Sequence, residues 1–289
     1  MEREVYITNA FELKGSGGNP AGIVLDAEGL STPHMLAIAE HVGLSETAFV
    51  LPSEVCDFRL RFFTPADEVD LCGHATIAAY SLLHQLGRLA PGSYRQELPA
   101  GELGISVSSD GRVSMEQLCP CYSAIFSPDE ISSILGIDPG SITVEGLPIQ
   151  LVSTGLSDVL VPTVSRQALD SVSPEFPAMS EFNKRHDSVG FHVFWLTGQS
   201  SGPTAVCRNF APLYGIEEES ATGSSSGALA CYLAKHWERN DHFEFQQGFS
   251  IGRPSHIEAD LTYTGDTISH VIVSGYAGDA DKKIIRISS

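Results

Sequence analysis

Two short stretches carry residue types able to do chemistry. They are Cys72-Gly73-His74, in DEVDLCGHATIAAYSLL (67–83), and Thr222-Gly223-Ser224, in SATGSSSGALACY (220–232). Each sets a glycine between polar side chains just ahead of an apolar, helix-like run. A helix N-terminus offers backbone N–H groups without intrahelical partners and the positive end of the helix dipole. Glycine lets a ligand approach that backbone closely. The expected chemistry is capture of an anion such as a carboxylate, with a thiol or an imidazole at hand for proton transfer. Each turn alone also suits plain packing around a tight bend; the pair favours a site.

The elements around these turns repeat. RFFTP (61–65) matches RNFAP (208–212), and CGHATIAAY (72–80) matches TGSSSGALACY (222–232). Gly101 in LPAG and Gly248 in FQQG lie equally far beyond the proline of their own motif. The order strand, x-F-x-P, acidic loop, glycine turn, apolar helix, glycine thus occurs twice. It implies two similar α+β halves, residues 1–118 (joined by a last strand, 281–289) and 119–280.

Local signals place the elements. STPHMLAIAEHVG (31–43) predicts a helix capped by Ser31 or Thr32, with Pro33 in its first turn, Met35, Ile38, Ala39 and Val42 on one face, and Gly43 at its end. TAFVL (47–51) and DFRLRFF (57–63) read as strands, and a helix follows Cys72 to about Gly87. Hairpin strands then run to about Glu116, turning at Asp110-Gly111. In the second half, SPDEISSILG predicts a helix with a Ser127/Glu130 capping box. Strands are expected near 149–152, 157–161, 190–196 and 204–210, and a second apolar helix from Gly227.

Composition limits the partners. The 17 basic and 36 acidic side chains give a net charge of −19, which disfavours nucleic acid and anionic membranes. Backbone donors at a helix start would still hold a small anionic metabolite. No apolar run is long enough for a bilayer, and MEREVYITNAF lacks the pattern of a secretory leader, so a cytoplasmic protein is expected. The cysteines at 56, 72, 119, 121, 207 and 231 are expected as reduced, buried thiols. CPC (119–121) lacks a second pair at zinc spacing, and no metal site is expected.

GNPAGIVL, LSETAFV, RFFTPADEVDLCGHATIAAY, RNFAP, TGSSSGALA and QGFSIGRPS, in that order over roughly 5–275, resemble the motifs of the phenazine-biosynthesis PhzF-like family. That family shares its fold with diaminopimelate epimerase and proline racemase. The resemblance implies two pseudo-symmetric domains, each a curved mixed sheet wrapped around a central helix, with the active site between them. It also implies a cofactor-independent isomerase and a homodimer.

By the same resemblance, Glu46 in LSETAFV matches the catalytic glutamate, a carboxyl group able to take a proton from carbon and return it elsewhere. His74 matches the histidine of the CGH motif and Ser224 the serine of TGS. Gly73 and Gly223 supply the close backbone approach, and Asn19 of GNP is a further substrate-binding candidate. Cys72 is a possible alternative base, since the epimerase and racemase relatives use paired cysteines at these turns. Here the second position is Thr222, which disfavours a two-thiol epimerase but leaves a Cys-dependent dehydratase open. The family pattern Glu-Asp-Pro appears as Glu218-Glu219-Ser220, so Glu219 takes the place of a substrate-binding aspartate with one more methylene and no following proline. This departure leaves room for a different substrate, or for a non-catalytic metabolite-binding relative.

Overall fold

The structure, a computed structural model, describes residues 2–99, 101–199 and 201–287. The chain divides into two compact units, Met1–Glu116 with Ser274–Ser289, and Gln117–Val273. Ser288 and Ser289, within the expected closing strand, lie outside the described residues.

The first unit runs β1 (Glu2–Ala10), β2 (Asn19–Val24), α1 (Thr32–Val42), β3 (Thr47–Leu51), β4 (Phe58–Phe63), β5 (Glu68–Val69), α2 (Gly73–Gln85), β6 (Gly92–Leu98), β7 (Gly101–Val107) and β8 (Val113–Gln117). Its α1 starts after Ser31, with Pro33 in the first turn, and ends on Gly43 in the left-handed conformation (φ 68°). Ser31 makes no side-chain cap bond, so proline and glycine mark the ends of this helix better than the hydroxyl does. Val107 pairs with Val113 across the turn that contains Gly111. In α2, residues 74 to 83 are all buried. A helix buried on every face is a core element, and α2 packs on β1, β2, β3 and β7.

The second unit runs β9 (Cys121–Phe126), α3 (Pro128–Leu135), β10 (Ile149–Ser153), β11 (Ser157–Pro162), α4 (Arg166–Asp170), α5 (Phe176–His186), β12 (Gly190–Leu196), β13 (Ala205–Ala211), β14 (Ile216–Glu219), α6 (Gly223–His236), β15 (His242–Gln247), β16 (Ser255–Thr264) and β17 (Thr267–Gly275). The chain then makes β18 (Asp281–Arg286), antiparallel to β1 with Val5 opposite Lys283. Ser127 caps α3 by accepting from the Glu130 N–H at 3.3 Å, the first half of the expected capping box. The second core helix, α6, begins at Gly223, four residues before the expected Gly227. Ser224, Ser225 and Ser226 form its first turn and are buried, although their side chains read as loop. It packs on β10, β11, β15 and β16.

The repeat seen in sequence is present in the strand ladders. β2–β3, β3–β4, β4–β5 and β4–β6 pair parallel, antiparallel, antiparallel and parallel. β11–β12, β12–β13, β13–β14 and β13–β15 follow the same order. In each copy the arginine of the x-F-x-P motif grips a glutamate on the next short strand with two hydrogen bonds. Arg61 meets Glu68 at 2.7 and 2.6 Å, and Arg208 meets Glu218 at 3.0 and 2.8 Å. Each guanidinium also lies over the phenylalanine two residues on, at 5.1 Å from Phe63 and 4.9 Å from Phe210.

The expectation of buried thiols holds for Cys72, Cys207 and Cys231. Cys119 and Cys121 are exposed and Cys56 is intermediate. Cys119 and Cys121 differ because CPC leads into β9, most of whose side chains face outward.

Candidate active site

In the first unit the site is built at the start of α2. Cys72 is the N-cap residue in an extended conformation (φ −141°), and its side chain does not cap the helix. The turn is fastened instead by Thr76, whose N–H and hydroxyl both donate to the Cys72 carbonyl, at 3.1 and 2.8 Å. The first N–H groups of α2 therefore have no capping side chain from residue 72.

His74, the second residue of the helix, is buried between two partners. Its Nε2 lies 3.4 Å from Glu46 Oε2, and its Nδ1 lies 3.5 Å from Cys72 Sγ. Glu46 immediately precedes β3, and its carbonyl accepts from the Gly22 N–H at 3.1 Å, which ties it to β2. Glu46 Oε2 is closed off from water and is not aligned for a hydrogen bond, although the imidazole is within ion-pair distance. Distance without alignment makes this an electrostatic contact, not a hydrogen bond. Burial lowers the basicity of His74, and the Glu46 charge only partly opposes it. The imidazole is thus neutral near pH 7 and carries one proton, on the Cys72 side or the Glu46 side.

Among the described residues, Glu46, Cys72 and His74 form the single cluster of such donors whose ligand atoms all lie within 4.8 Å of one another. Sulfur, imidazole and carboxylate are also metal ligands. The Cys72 sulfur lies 3.5 Å from Nδ1 and 4.0 Å from Nε2 of the imidazole, and the Glu46 carboxylate lies 3.4 Å from Nε2. Asn19 opens β2 and is buried.

In the second unit α6 starts in the same way. Thr222 is its extended N-cap (φ −130°) with no side-chain cap, and the Ser226 hydroxyl donates to the Thr222 carbonyl at 2.9 Å, as Thr76 does in α2. The Thr222 hydroxyl is turned to Glu219, donating to Oε2 at 2.9 Å. Gln247 Nε2 donates to the Glu219 carbonyl at 2.7 Å and to Thr222 Oγ1 at 3.1 Å. The Ser220 carbonyl accepts from Ser255 at 2.7 Å. Gly248 is required beside it: its φ is +81°, and a Cβ there would fall 2.1 Å from the Arg253 carbonyl oxygen and 2.8 Å from that of Ser220. Glu219, Thr222, Gly223 and Ser224 are thus neighbours on one braced loop.

Sequence reasoning did not single out a buried polar group behind that loop. Ser225 Oγ donates to Asp158 Oδ2 at 2.6 Å and accepts from Asn209 Nδ2 at 3.2 Å, and Asn209 Nδ2 also lies 3.2 Å from His192 Nδ1. Burial pushes Asp158 up to about 6, against the pull of bonds from Ser225 and the Gly190 N–H. A carboxyl raised from 3.8 to about 6 contributes stability that is complete below about pH 4 and lost as pH rises through about 6. The signal in sequence was an aspartate inside the apolar run SDVLVP, which a strand reading absorbs.

Comparison with known proteins follows the geometry. Residues 8–280 match the family described as "Phenazine biosynthesis-like protein" (PhzC-PhzF). The uncharacterized isomerase YddE of Escherichia coli K12 is 32% identical over 288 residues, covering 96% of each chain. The trans-2,3-dihydro-3-hydroxyanthranilate isomerase of Pseudomonas chlororaphis is 33% identical over 278 residues, covering 93% of this chain and 94% of that protein. Among solved structures, a PhzF-family protein of Bacillus anthracis superposes with a TM-score of 0.92 at 31% identity, covering 99% of this chain and all of that one (100%). A hydroxyproline epimerase of Agrobacterium vitis shares the fold alone, with a TM-score of 0.65 at 12% identity. No helix among the described residues is long and apolar enough to cross a membrane. The chain belongs to the phenazine biosynthesis-like family and is an isomerase.

Proposed function

We propose that the protein shifts a proton within a small unsaturated carboxylic acid, with Glu46 as the acid/base. The observation that carries this reading is the nearly enclosed Glu46 carboxylate facing a neutral imidazole at the open start of α2. In the reaction a substrate C–H bond breaks and its proton passes to Glu46. The electron pair moves into the conjugated system toward the substrate carboxylate, and the proton returns to another carbon. No oxidant or reductant is consumed. His74 steadies the carboxylate in both protonation states, because its ring nitrogen serves as donor or acceptor according to tautomer. Each unit by itself offers N–H groups at a helix start, around Gly73–His74 in α2 and around Gly223–Ser224 in α6, suited to an anionic oxygen of a substrate. Solvent-deuterium incorporation into a panel of unsaturated and amino acids tests the reading. Exchange is expected in the unsaturated acids; exchange confined to the α-carbon of amino acids would replace it with an epimerase.

Cys72 is a neighbour of His74 on this reading, not the base. Cys72→Ser is therefore expected to keep turnover within about tenfold, since general acid/base help is worth ~10²–10⁴-fold and this group does not supply it. Complete loss of activity in a folded Cys72→Ser protein would move the base to the thiol.

The Pseudomonas relative is named for trans-2,3-dihydro-3-hydroxyanthranilate. On that compound this protein is expected to be slow. Glu219 reaches one methylene further than the family aspartate, its Oε2 is engaged by Thr222, and Ser220 replaces a rigid proline. Misplacing a substrate contact by about 1 Å can cost ~10²-fold. Glu219→Asp with Ser220→Pro is expected to raise that activity by about tenfold or more. Steady-state kinetics on the two proteins decides it, and efficient turnover by the unmodified chain refutes the expectation.

A further inference from the structure

A core needs no carboxylate, and burying one is costly unless donors meet it. Asp158 is 2% exposed, and its partner Ser225, with Asn209 and His192 beyond it in the same chain of contacts, is buried as fully. Space has been made for it. Asp158 lies opposite Gly190 on the neighbouring strand, and a Cβ on Gly190 would fall 3.2 Å from Asp158 Oδ1 and 2.3 Å from the Phe210 carbonyl oxygen. The repeat identifies that position. Arg61 pairs with Phe49 and Arg208 with Val193, so counting back along both strands sets Gly190 where the first unit has Glu46. The second unit has a glycine at that point and carries an acid on the adjacent strand. Its Oδ2 reaches Ser225, the third residue of α6.

We propose that Asp158, acting through Ser225, is the positioning residue that sets the Gly223–Ser224 turn to receive an anionic substrate group. The proposal rests on the reading that this turn binds such a group. Ser225 would otherwise be free to fold back onto the backbone donors of its own turn, as serines near helix starts do. Drawn inward by Asp158 and Asn209, it leaves those N–H groups directed at a ligand and fixes the first turn against β11 and β13. The Thr222 hydroxyl is likewise held away, by Glu219.

The groups facing Asp158 are few. From β12 comes His192, which burial depresses to about 3 and keeps neutral. From β13 comes Asn209, with the Cys207 thiol next on the same face of the strand and raised by burial. From β10 comes Val152, directly opposite. None brings a charge at neutral pH. Titration of Asp158 is therefore felt mainly along the Ser225 link.

The test uses the whole chain with Asp158→Asn, Ser225→Ala and the double variant. Amide resonances of Gly223 and Ser224 are followed by NMR from about pH 5 to about pH 8, the range in which a carboxyl raised to about 6 titrates. They are expected to shift together in the wild type, to shift at most about a third as far in Ser225→Ala, and to stay still in Asp158→Asn. Anthranilate, an aromatic carboxylate, is the binding probe. Its dissociation constant is expected to rise about tenfold in each single variant and no further in the double, as coupled positions do. Wild-type amides that do not titrate, equal titration in Asp158→Asn, unchanged binding, or additive losses would each overturn the proposal. If Asp158→Asn does not fold, the wild-type titration and Ser225→Ala, a smaller change, decide it. A wild type that binds no anthranilate overturns the anion site and with it the use assigned to Asp158. Failure of Glu46 as the base leaves both measurements standing.

Discussion

Glu46→Gln is expected to slow proton exchange at substrate carbon by ~10²–10⁴-fold, the range that a positioned acid or base contributes. The amide keeps the size of the side chain and can still approach His74, so anthranilate binding should change by no more than about threefold, as for a group that acts in the transition state. It cannot carry a proton between carbons. Rates of deuterium incorporation under single-turnover conditions separate this chemistry from product release. Exchange within a few-fold of wild type would end the assignment of Glu46 as the base. A parallel loss of binding would instead make Glu46 a substrate contact.

Arg208→Met should cost about 3–5 kcal/mol in unfolding free energy, the usual penalty for removing one partner of a buried ion pair. The side chains of Arg208 and Glu218 are only 12% and 11% exposed. Beyond the two bonds to Glu218, Arg208 Nη1 donates to the carbonyls of Leu169 at 3.2 Å and Val172 at 2.7 Å. Methionine keeps much of the aliphatic stem but leaves a carboxylate and two carbonyls without this donor. The equivalent change in the first unit, Arg61→Met, should cost roughly half as much, because solvent screens a more open pair; Arg61 and Glu68 are 17% and 27% exposed. Urea denaturation of the two variants measures the difference. Equal losses would refute the difference drawn from exposure, and losses both below about 1 kcal/mol would show that these pairs behave as surface salt bridges.

The parts of this molecule that were legible in sequence are those with a local cause. Pro33 and Gly43 bound α1 because proline suits a helix start and glycine accepts the left-handed end. The two glycine turns and the two x-F-x-P motifs could be matched because each is a short run of fixed spacing. What was not legible depends on residues far along the chain. The first turn of α6 reads as polar loop, and it is buried helix because Asp158 and Asn209, on other strands, supply partners to Ser225. Asp158 was hidden in an apolar run for the same reason: its partner lies beyond the reach of any local pattern. The exposed Cys119 and Cys121 illustrate the converse, since nothing near CPC tells which way β9 will face. The contact between His74 and Glu46 joins residues 28 positions apart and exists only in the folded chain, although the resemblance had already brought both residues forward.

The pairing of β18 with β1 sets an order on biosynthesis. β1 needs partners on both sides: β2, which follows at once, and β18, which is made only after all of the second unit. A ribosome adds about 5–20 residues per second, so β1 waits on the order of tens of seconds with one edge unpaired. The second unit is continuous in sequence and has no such wait. The nascent chain should therefore complete its later half first, reversing the usual N-to-C order. The open edge of β1 is the stretch a chaperone would need to shield in that interval.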